Sequence, residues 1–314
     1  MNKYKRVILV VAVINVLAAS ALTGCSSKKL ENVKKTSKPI SVEKTETSKY
    51  GNYKGCLWEI RKGKAKVYLF GSIHIGKKEM YPFEKTVEDA FSSCDNLVVE
   101  YDSSKSIKVN LDESELMYPE NDDVYNHISK EDKEKLDSCA KEAGLDMNML
   151  KRMKLYLIIA NISNIQTEKA GYSVNYGIDS YFINKGKNKK KILELESKEF
   201  QDSLLNDLTD AEQKNGLLLL KDMKTSQAEN DKFFEAFKAG DEKELVKLSG
   251  DTSKLDASYY KKMFADRNAG MARKIDGYLK TNESYFVVAG LSHFIGDASV
   301  VDLLQHNGYT VIKR

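Results

Sequence analysis

The strongest constraint on this chain is a short pattern that its sequence uses twice. Residues 66–74 read KVYLFGSIH and residues 285–293 read YFVVAGLSH, so each copy is an apolar run that ends in Gly, two further residues and His. Apolar runs of this length that end at Gly are typical of strands buried on both faces, in a parallel or mixed sheet covered by helices. We therefore predict that His74 and His293 follow the carboxyl ends of two such strands, where open α/β sheets form their ligand crevices.

Composition allows a large folded domain and gives no reason to expect nucleic acid as a partner. The 314 residues are 41% hydrophobic, which suffices for a substantial core. The 50 basic and 46 acidic residues leave a net charge of only +4. Because no strongly basic field is present, we expect no nucleic-acid partner.

The N-terminus reads as a targeting segment. Three cations, at Lys3, Lys5 and Arg6, precede an apolar run over residues 7–22, which is shorter than the about 20 apolar residues of a membrane span. Residues 22–25 read LTGC and resemble the lipobox of bacterial lipoproteins, in which the cysteine becomes the lipidated first residue. Lipid on Cys25 would hold the protein at the cell membrane, facing outside the cytoplasm. The alternative is an uncleaved signal anchor with an incidental cysteine.

Three segments divide the chain. We predict a lipoprotein signal peptide over 1–24, a flexible tether over 25–52 and a folded domain over 53–314. The tether is rich in Lys, Ser, Thr and Glu and poor in large apolar residues, as expected of a segment that does not fold alone. The exported part keeps three cysteines, Cys56, Cys94 and Cys139. We favour small buried side chains for them over a disulfide, because their spacing selects no pair.

The folded domain alternates strand and helix patterns, which predicts an α/β fold with a mixed, largely parallel central sheet flanked by helices. A hairpin around Gly63 opens it, and the polar and helical residues 103–170 form either a cap over the crevice or part of the main layer. The further predicted elements are a helix over 84–94, a strand over 97–101, helices over 131–143 and 151–164, a helix from Gly177, a strand over 192–195, helical stretches over 211–248 and 258–279, and a strand over 309–312.

Two glutamates mark strand ends. Glu100 follows His74 by 26 residues, the span of one strand-helix-strand unit, so we expect these two strand ends to be neighbours. Glu196 ends the strand predicted at 192–195. A carboxylate at the end of an apolar strand is costly to bury unless it meets a cation, a metal or hydrogen-bond donors.

Arg267 lies on the apolar face of the helix predicted over 258–279. It follows Phe264 by three residues and precedes Met271 by four, so the three side chains share one helical face. An arginine on a core-facing stripe is expected to pair with a carboxylate or an anionic ligand. The alternative is an arginine whose stem covers apolar surface while its charge reaches water.

These motifs together resemble the TraB/GumN family, and the resemblance spans residues 53–314 in the right order. The matching motifs are GSIH at 71–74 followed by Pro82, VVE ending at Glu100, GID at 177–179, LES at 195–197 with Gln201, AGD at 239–241, Arg267 with Asn268, GLSH at 290–293 followed by Gly296, and the closing GYTV. A Phe stands near Gly240 where the family often has Trp. The family includes TIKI-type metal-dependent proteases and is similar in fold to erythromycin-esterase and ChaN-like proteins, so the resemblance implies a mixed α/β domain of that type, with helical insertions.

The resemblance also implies that both GxxH histidines and the strand-end glutamate share one site. Two imidazoles and a carboxylate are a common ligand set for a divalent transition metal (Mn, Co or Zn) whose bound water becomes a nucleophile. We therefore assign His74, His293 and Glu100 as metal ligands or, if no metal binds, as base and orienting groups. The alternative is that both histidines are ordinary strand-end residues.

Three further residues receive supporting catalytic roles. Arg267 would stabilise an oxyanion or pair with Glu100 or Glu196, and Asn268 would supply a hydrogen-bond donor. His127 and His306 lie in polar or helical surface contexts and receive no role.

Three functions follow from this interpretation. The first is a membrane-anchored metal-dependent hydrolase, expected to be a peptidase, and the second is a non-metal hydrolase of the erythromycin-esterase type that uses His and Glu to activate water. The third is a lipoprotein that captures a peptide or small ligand without chemistry.

Overall fold

A six-stranded sheet organises the protein. A computed structural model describes residues 49–105, 116–250 and 252–314. The strands of these residues are β1 (Leu57–Lys62), β2 (Ala65–Ser72), β3 (Asn96–Val99), β4 (Lys191–Glu194), β5 (Ser284–Gly290) and β6 (Val311–Lys313). They lie in the order β4-β3-β5-β2-β1-β6. Neighbouring strands from β4 to β2 are parallel, while β1 is antiparallel to both of its neighbours. The predicted mixed, largely parallel α/β class is confirmed.

The two apolar runs of the repeated pattern form adjacent strands, β2 and β5. Their residues pair in register, ending with Gly71 opposite Ala289 and Ser72 opposite Gly290. Both strands are almost wholly buried, and since successive side chains point to opposite faces, both faces of the sheet are covered along them. The loops that carry His74 and His293 therefore leave the same edge of the sheet side by side.

The prediction that the ends of β2 and β3 are neighbours is wrong. β5 pairs with β3 on one side and with β2 on the other, so a strand from near the end of the chain separates the two. The strand predicted over 97–101 ends at Val99, and Glu100 is the first residue beyond it. Glu100 consequently adjoins the end of β5 rather than that of β2.

Helices cover the sheet and extend the fold beyond it. The α-helices of the described residues are α1 (Lys85–Ser92), α2 (Lys130–Ala143), α3 (Met147–Leu150), α4 (Leu155–Lys169), α5 (Ile178–Gly186), α6 (Lys198–Asn206), α7 (Asp210–Gln213), α8 (Asn215–Leu219), α9 (Met223–Ala239), α10 (Glu242–Leu248), α11 (Ala257–Tyr260), α12 (Asp266–Tyr278) and α13 (Val300–His306). None of the helices in this part of the chain is long and apolar enough to cross a membrane.

The two long helical stretches predicted near the C-terminal half are interrupted. Residues 211–248 form four helices, since Asp222 caps the start of α9 and Gly240, with a φ of 68°, ends it. Residues 258–279 form α11, a π-helical turn over Lys261–Ala265 and α12. Such a turn inserts an extra residue into a helix and often occurs at functional sites.

The region between β3 and α5 has a hydrophobic cluster of its own. Leu136 and Ala140 of α2 pack with Leu155 and Ile158 of α4, and Leu217 of α8 joins them. This cluster is separate from the main core around the sheet, as expected of a helical insertion. The three cysteines of the described residues are buried and unbridged, as the sequence favoured. The predicted signal peptide and most of the predicted tether lie outside the described residues.

His127 connects the helical insertion, the region between β3 and α5, to the start of α7. Its Nε2 lies 2.8 Å from Asp122 and its Nδ1 lies 2.6 Å from Asp210. The ring of Tyr118 stacks on the imidazole at a centroid distance of 4.3 Å. Burial opposes the charged form, but the hydrogen bond to Asp122 and the charge of Asp210 outweigh burial and raise the pKa of His127 above its ordinary value of 6.5.

Stability of the insertion should therefore fall as pH rises through the raised pKa of His127. When the pKa of a group is higher in the folded than in the unfolded protein, the group stabilises the fold fully at pH values below its pKa in the unfolded state. That contribution is lost as the pH rises through its pKa in the folded state. We expect His127→Gln to lower the free energy of unfolding by about 1 kcal/mol at pH 6 and by much less at pH 9. Urea unfolding at both pH values measures this, with the exposed His306→Gln as control. An equal loss at both pH values would contradict the ion-pair role.

Candidate active site

Glu100 binds the loop that follows β5. Its Oε1 accepts a hydrogen bond of 2.6 Å from the backbone N–H of Gly290. A side chain at position 290 would bring its Cβ within 3.1 Å of that oxygen, so glycine lets the backbone approach the carboxylate. The Oε2 of Glu100 accepts from Gln201 at 2.7 Å and from Arg267 at 3.0 Å. Both oxygens of Glu100 are thus engaged by donors of the protein.

The sheet itself places Glu196 beside Glu100. Beyond β3 and β4 the parallel backbone pairing continues, and the N–H of Glu196 donates to the carbonyl of Glu100 at 2.8 Å. Gln201, on the first turns of α6, donates to Oε2 of both carboxylates. Two buried carboxylates this close repel each other unless a cation lies between them.

Arg267 supplies that cation. Its Nε and Nη2 each lie 2.8 Å from one oxygen of Glu196, a bidentate pair, and Nη2 also reaches Glu100. The side chain of Arg267 is 11% exposed and those of both glutamates are 6% exposed. Burial alone would raise the pKa of Glu100, but Arg267 foremost holds it down at about 2. The pairing predicted for Arg267 is present, and its charge is neutralised by two carboxylates rather than left free for an oxyanion.

Asn268 orients His293 and does not offer its amide to the site. Its Oδ1 accepts from Nδ1 of His293 at 2.7 Å, and its Nδ2 donates to the carbonyl of Ala298 at 2.9 Å. The predicted role as a donor is therefore corrected to that of a positioning residue. Because Nδ1 of His293 donates, its Nε2 carries the lone pair. Arg267 and Asn268 are successive residues just beyond the π-helical turn. Arg267 pairs with the two carboxylates, and Asn268 holds the imidazole of His293.

His74 is oriented in the same way by a carboxylate. Its Nδ1 lies 3.0 Å from Asp179 in the first turn of α5, and the hydroxyl of Ser72 donates to the other oxygen of Asp179 at 2.9 Å. The backbone carbonyl of His74 lies against Gly177, where a Cβ would approach within 2.7 Å. The GID motif at 177–179 thus holds the His74 loop from both its backbone and its side chain.

The two histidines differ in charge at neutral pH. Burial lowers the pKa of His74, but the charge of Asp179 and the hydrogen bond to it reverse that effect and raise the pKa to about 9. Burial, followed by the charge of Arg267, lowers the pKa of His293 to about 3. His293 is 3% exposed, whereas the side chain of His74 is 31% exposed. The site therefore presents a protonated imidazole and a neutral one.

The predicted metal set fits this arrangement only in part. A histidine that binds a metal uses one ring nitrogen, while the N–H of the other nitrogen donates to an oxygen. Asp179 supplies that oxygen for His74, and Asn268 supplies it for His293. The oxygens of Glu100 are instead occupied by donors and an arginine. No group of three His, Cys, Asp or Glu side chains in the described ranges is arranged to hold an ion. Glu100 does not fit as a ligand here.

Sequence reasoning missed the role of Asp179 and left Gln201 without one. Both residues fell within motifs that had been noted, GID at 177–179 and LES at 195–197 with Gln201, but a motif does not reveal which group its side chain contacts. Asp179 is the more serious omission, because it decides the charge of His74.

Two oriented histidines and a buried glutamate-arginine-glutamate cluster at the carboxyl edge of a largely parallel sheet define an α/β protein with an enzyme-like site. Residues 56–313 match the TraB/PrgY/gumN family, and the chain belongs to that family.

Relatives of this chain include proteins with and without a described activity. It is 30% identical over 164 residues to the uncharacterized protein YbaP of Escherichia coli (strain K12). The match covers 52% of this chain and 59% of YbaP. Over 59 residues, 18% of this chain and 11% of the relative, it is 37% identical to Metalloprotease TIKI2 of Xenopus tropicalis. These matches cover less than two thirds of each relative's own length. No solved structure matches the chain.

Loss of the Arg267 charge should destabilise the fold strongly. Arg267→Met keeps the apolar stem but leaves two buried carboxylates without a cation, and breaking a buried pair costs about 3–5 kcal/mol. Chemical denaturation measures this, and Arg273→Met on the exposed side of α12 should change stability by no more than about 0.5 kcal/mol. Equal stability of the Arg267 and Arg273 variants would show that the carboxylates do not need the arginine.

Proposed function

We propose that this protein is a hydrolase, acting on peptide bonds, that is held at the outer face of the cell membrane by lipid on Cys25. The observation that carries the catalytic part is the pair of histidines, each held through Nδ1, of which one is protonated and the other neutral at neutral pH. Pairs of titratable groups whose environments push their pKa values apart are typical of acid-base catalysis. The similarity of a short stretch to Metalloprotease TIKI2 supports a hydrolytic reaction.

In this mechanism His74 is the proton donor. Its raised pKa keeps the imidazole charged at neutral pH, and Asp179 holds it by Nδ1, so Nε2 is the nitrogen that can protonate a leaving group. The partial exposure of His74 agrees with contact to a substrate.

His293 orients the attacking water. It is neutral, and its Nδ1 donates to Asn268, so the lone pair on Nε2 can accept a hydrogen bond from water. An imidazole with a pKa of about 3 is a weak base, and positioning is accordingly its larger contribution. The proton that the water loses on attack passes to His74, which has given its own proton to the leaving amine, so that the imidazole ends as it began. Glu100, Glu196 and Arg267 fix the loop after β5 and with it the place of His293.

The metal-dependent form of this reaction stays a prediction. It is supported by the name of the TIKI2 relatives and by the orientation of both imidazoles through Nδ1. Because the oxygens of Glu100 are occupied, no step is assigned to a metal here. Activity measured with a chelator and with added Mn, Co or Zn separates the metal-dependent and non-metal hydrolases.

Loss of either histidine or of the carboxylate should abolish turnover. We expect His74→Ala and His293→Ala each to reduce kcat/KM about 100-fold or more, because groups that transfer or orient protons contribute about 10²–10⁴ in rate. Glu100→Gln should have a similar effect, because it weakens the contacts that fix the loop carrying His293. The double variant His74→Ala/His293→Ala should be scarcely slower than either single one, as residues that act as a unit are not additive. A library of quenched fluorescent peptides measures turnover by the full chain.

The exposed His306→Ala is the matched control and should keep full activity. Wild-type activity in both single histidine variants would refute the assignment. Peptide binding without turnover by the wild type would instead indicate the lipoprotein that captures its ligand without chemistry.

The proposed location rests on the N-terminal sequence. The cationic head, the short apolar run and LTGC at 22–25 support lipidation of Cys25. We expect Cys25→Ala to abolish fatty-acid incorporation and either release the protein from membranes or leave its leader uncleaved. Labelling with a radioactive fatty acid and membrane fractionation measure both effects, with Ser26→Ala as control. A lipid-bearing, processed Cys25→Ala protein would rule out the lipobox.

A further inference from the structure

A cavity of about 380 Å³ lies behind the loop that carries His74. Ile73 and Ile75, the two residues that flank His74, form part of its wall, and helices α8, α9 and α10 supply most of the rest. None of the histidines, glutamates or arginine of the candidate active site lines it. The cavity therefore adjoins the candidate active site through one loop but has different walls.

One part of the cavity wall is apolar. Phe233 and Phe234 of α9, together with Leu219 and Leu248, line it beside the two isoleucines. Phe234 and both isoleucines belong to the main core, whereas Leu219 lies next to residues of the separate cluster in the helical insertion. The cavity thus lies where these two hydrophobic clusters meet, and its volume is within the range of small-molecule sites. These walls suit the apolar body of a ligand.

The charged residues at the cavity are mostly cations. Lys221, Lys247 and Lys254 line it, against one acidic residue, Glu229. Lys247 is paired with Glu244 at 3.0 Å on α10. Within the described ranges neither Lys221 nor Lys254 has a carboxylate partner. Lys221 is half-buried and Lys254 is exposed, and cations at an apolar cavity without a carboxylate partner favour an anionic ligand group.

We propose that this cavity is a binding site for an apolar carboxylate, with the carboxylate near Lys221 and Lys254 and the apolar body against Phe233 and Phe234. Acyl-chain acids and the C-terminus of an apolar peptide share this chemistry. The site does not require the hydrolase proposed above, since none of its walls belongs to the catalytic groups.

Octanoate and octanol are the first probes. Calorimetric titration of the full chain in lipid nanodiscs, with empty nanodiscs subtracted, should show saturable binding of octanoate and at least about fivefold weaker binding of octanol, which lacks the charge. Equal affinity for acid and alcohol, or no saturable binding of octanoate and of the tripeptide acid described next, would overturn the proposal.

The tripeptide Leu-Leu-Phe, as free acid and as amide, separates the two sources. Tighter binding of octanoate than of the tripeptide acid supports an acyl-chain acid as the ligand. Tighter binding of the tripeptide acid than of octanoate and of the tripeptide amide supports a peptide C-terminus. Equal binding of acid and amide, with no binding of octanoate, would show that the lysines do not select a carboxylate.

Variants locate the bound probe. Lys221→Gln and Lys254→Gln should each weaken binding about fivefold, while Lys243→Gln, on the exposed side of α10, should not. The Lys221 change spares the backbone carbonyl that accepts from Cys139 and Gln166. Unchanged binding in both lysine variants would refute the role of the charges.

A second pair of variants tests the cavity itself. Ser226→Phe places a ring in the space that Ser226 lines and should abolish binding, whereas Gln227→Phe, the next and exposed residue of α9, should leave it intact. Equal binding to these two variants would place the probe elsewhere and contradict the proposal. Lys221→Gln should keep the hydrolase activity of the wild type, so that a loss of probe binding in this variant is not a consequence of a damaged candidate active site.

Discussion

The buried contact between Arg267 and two glutamates is the interaction on which the candidate site depends. Parallel pairing of β3 and β4 forces Glu100 and Glu196 together, and two buried carboxylates this close repel each other unless a cation such as the guanidinium of α12 lies between them. Once ionised, Glu100 holds the backbone of Gly290 and so fixes the loop that ends at His293. One charged contact thus links two strand ends, a helix and the second GxxH loop.

Local sequence predicted the parts of the site better than their arrangement. The apolar runs before His74 and His293 predicted buried strands, and the position of Arg267 on an apolar helical face predicted its carboxylate partner. The neighbour of Glu100 was predicted wrongly, because strand order depends on contacts between residues far apart in the chain, such as Gly290 and Glu100, which are 190 positions apart. Sequence patterns with periods of two or 3.6 residues contain no information of that range.

The same limit explains the side-chain roles. Asn268 was expected to donate to the site, and Asp179 was given no role, because which group a polar side chain contacts is decided by tertiary packing. The two histidines occur in nearly identical local patterns, yet their pKa values lie on opposite sides of neutrality. Their difference arises from what packs against each loop: a carboxylate on α5 for His74, and burial near Arg267 with an amide on α12 for His293.

The central place of β5 has a consequence for how the chain folds. β5 comprises residues 284–290 of a chain of 314, yet it is the strand that joins the β4-β3 pair to the β2-β1-β6 group. Until that segment has been synthesised, the two groups have no strand to connect them, and the two GxxH loops cannot lie together. Contacts of such long sequence separation slow folding. The complete sheet, and with it the candidate site, can therefore form only after almost the whole chain has been made.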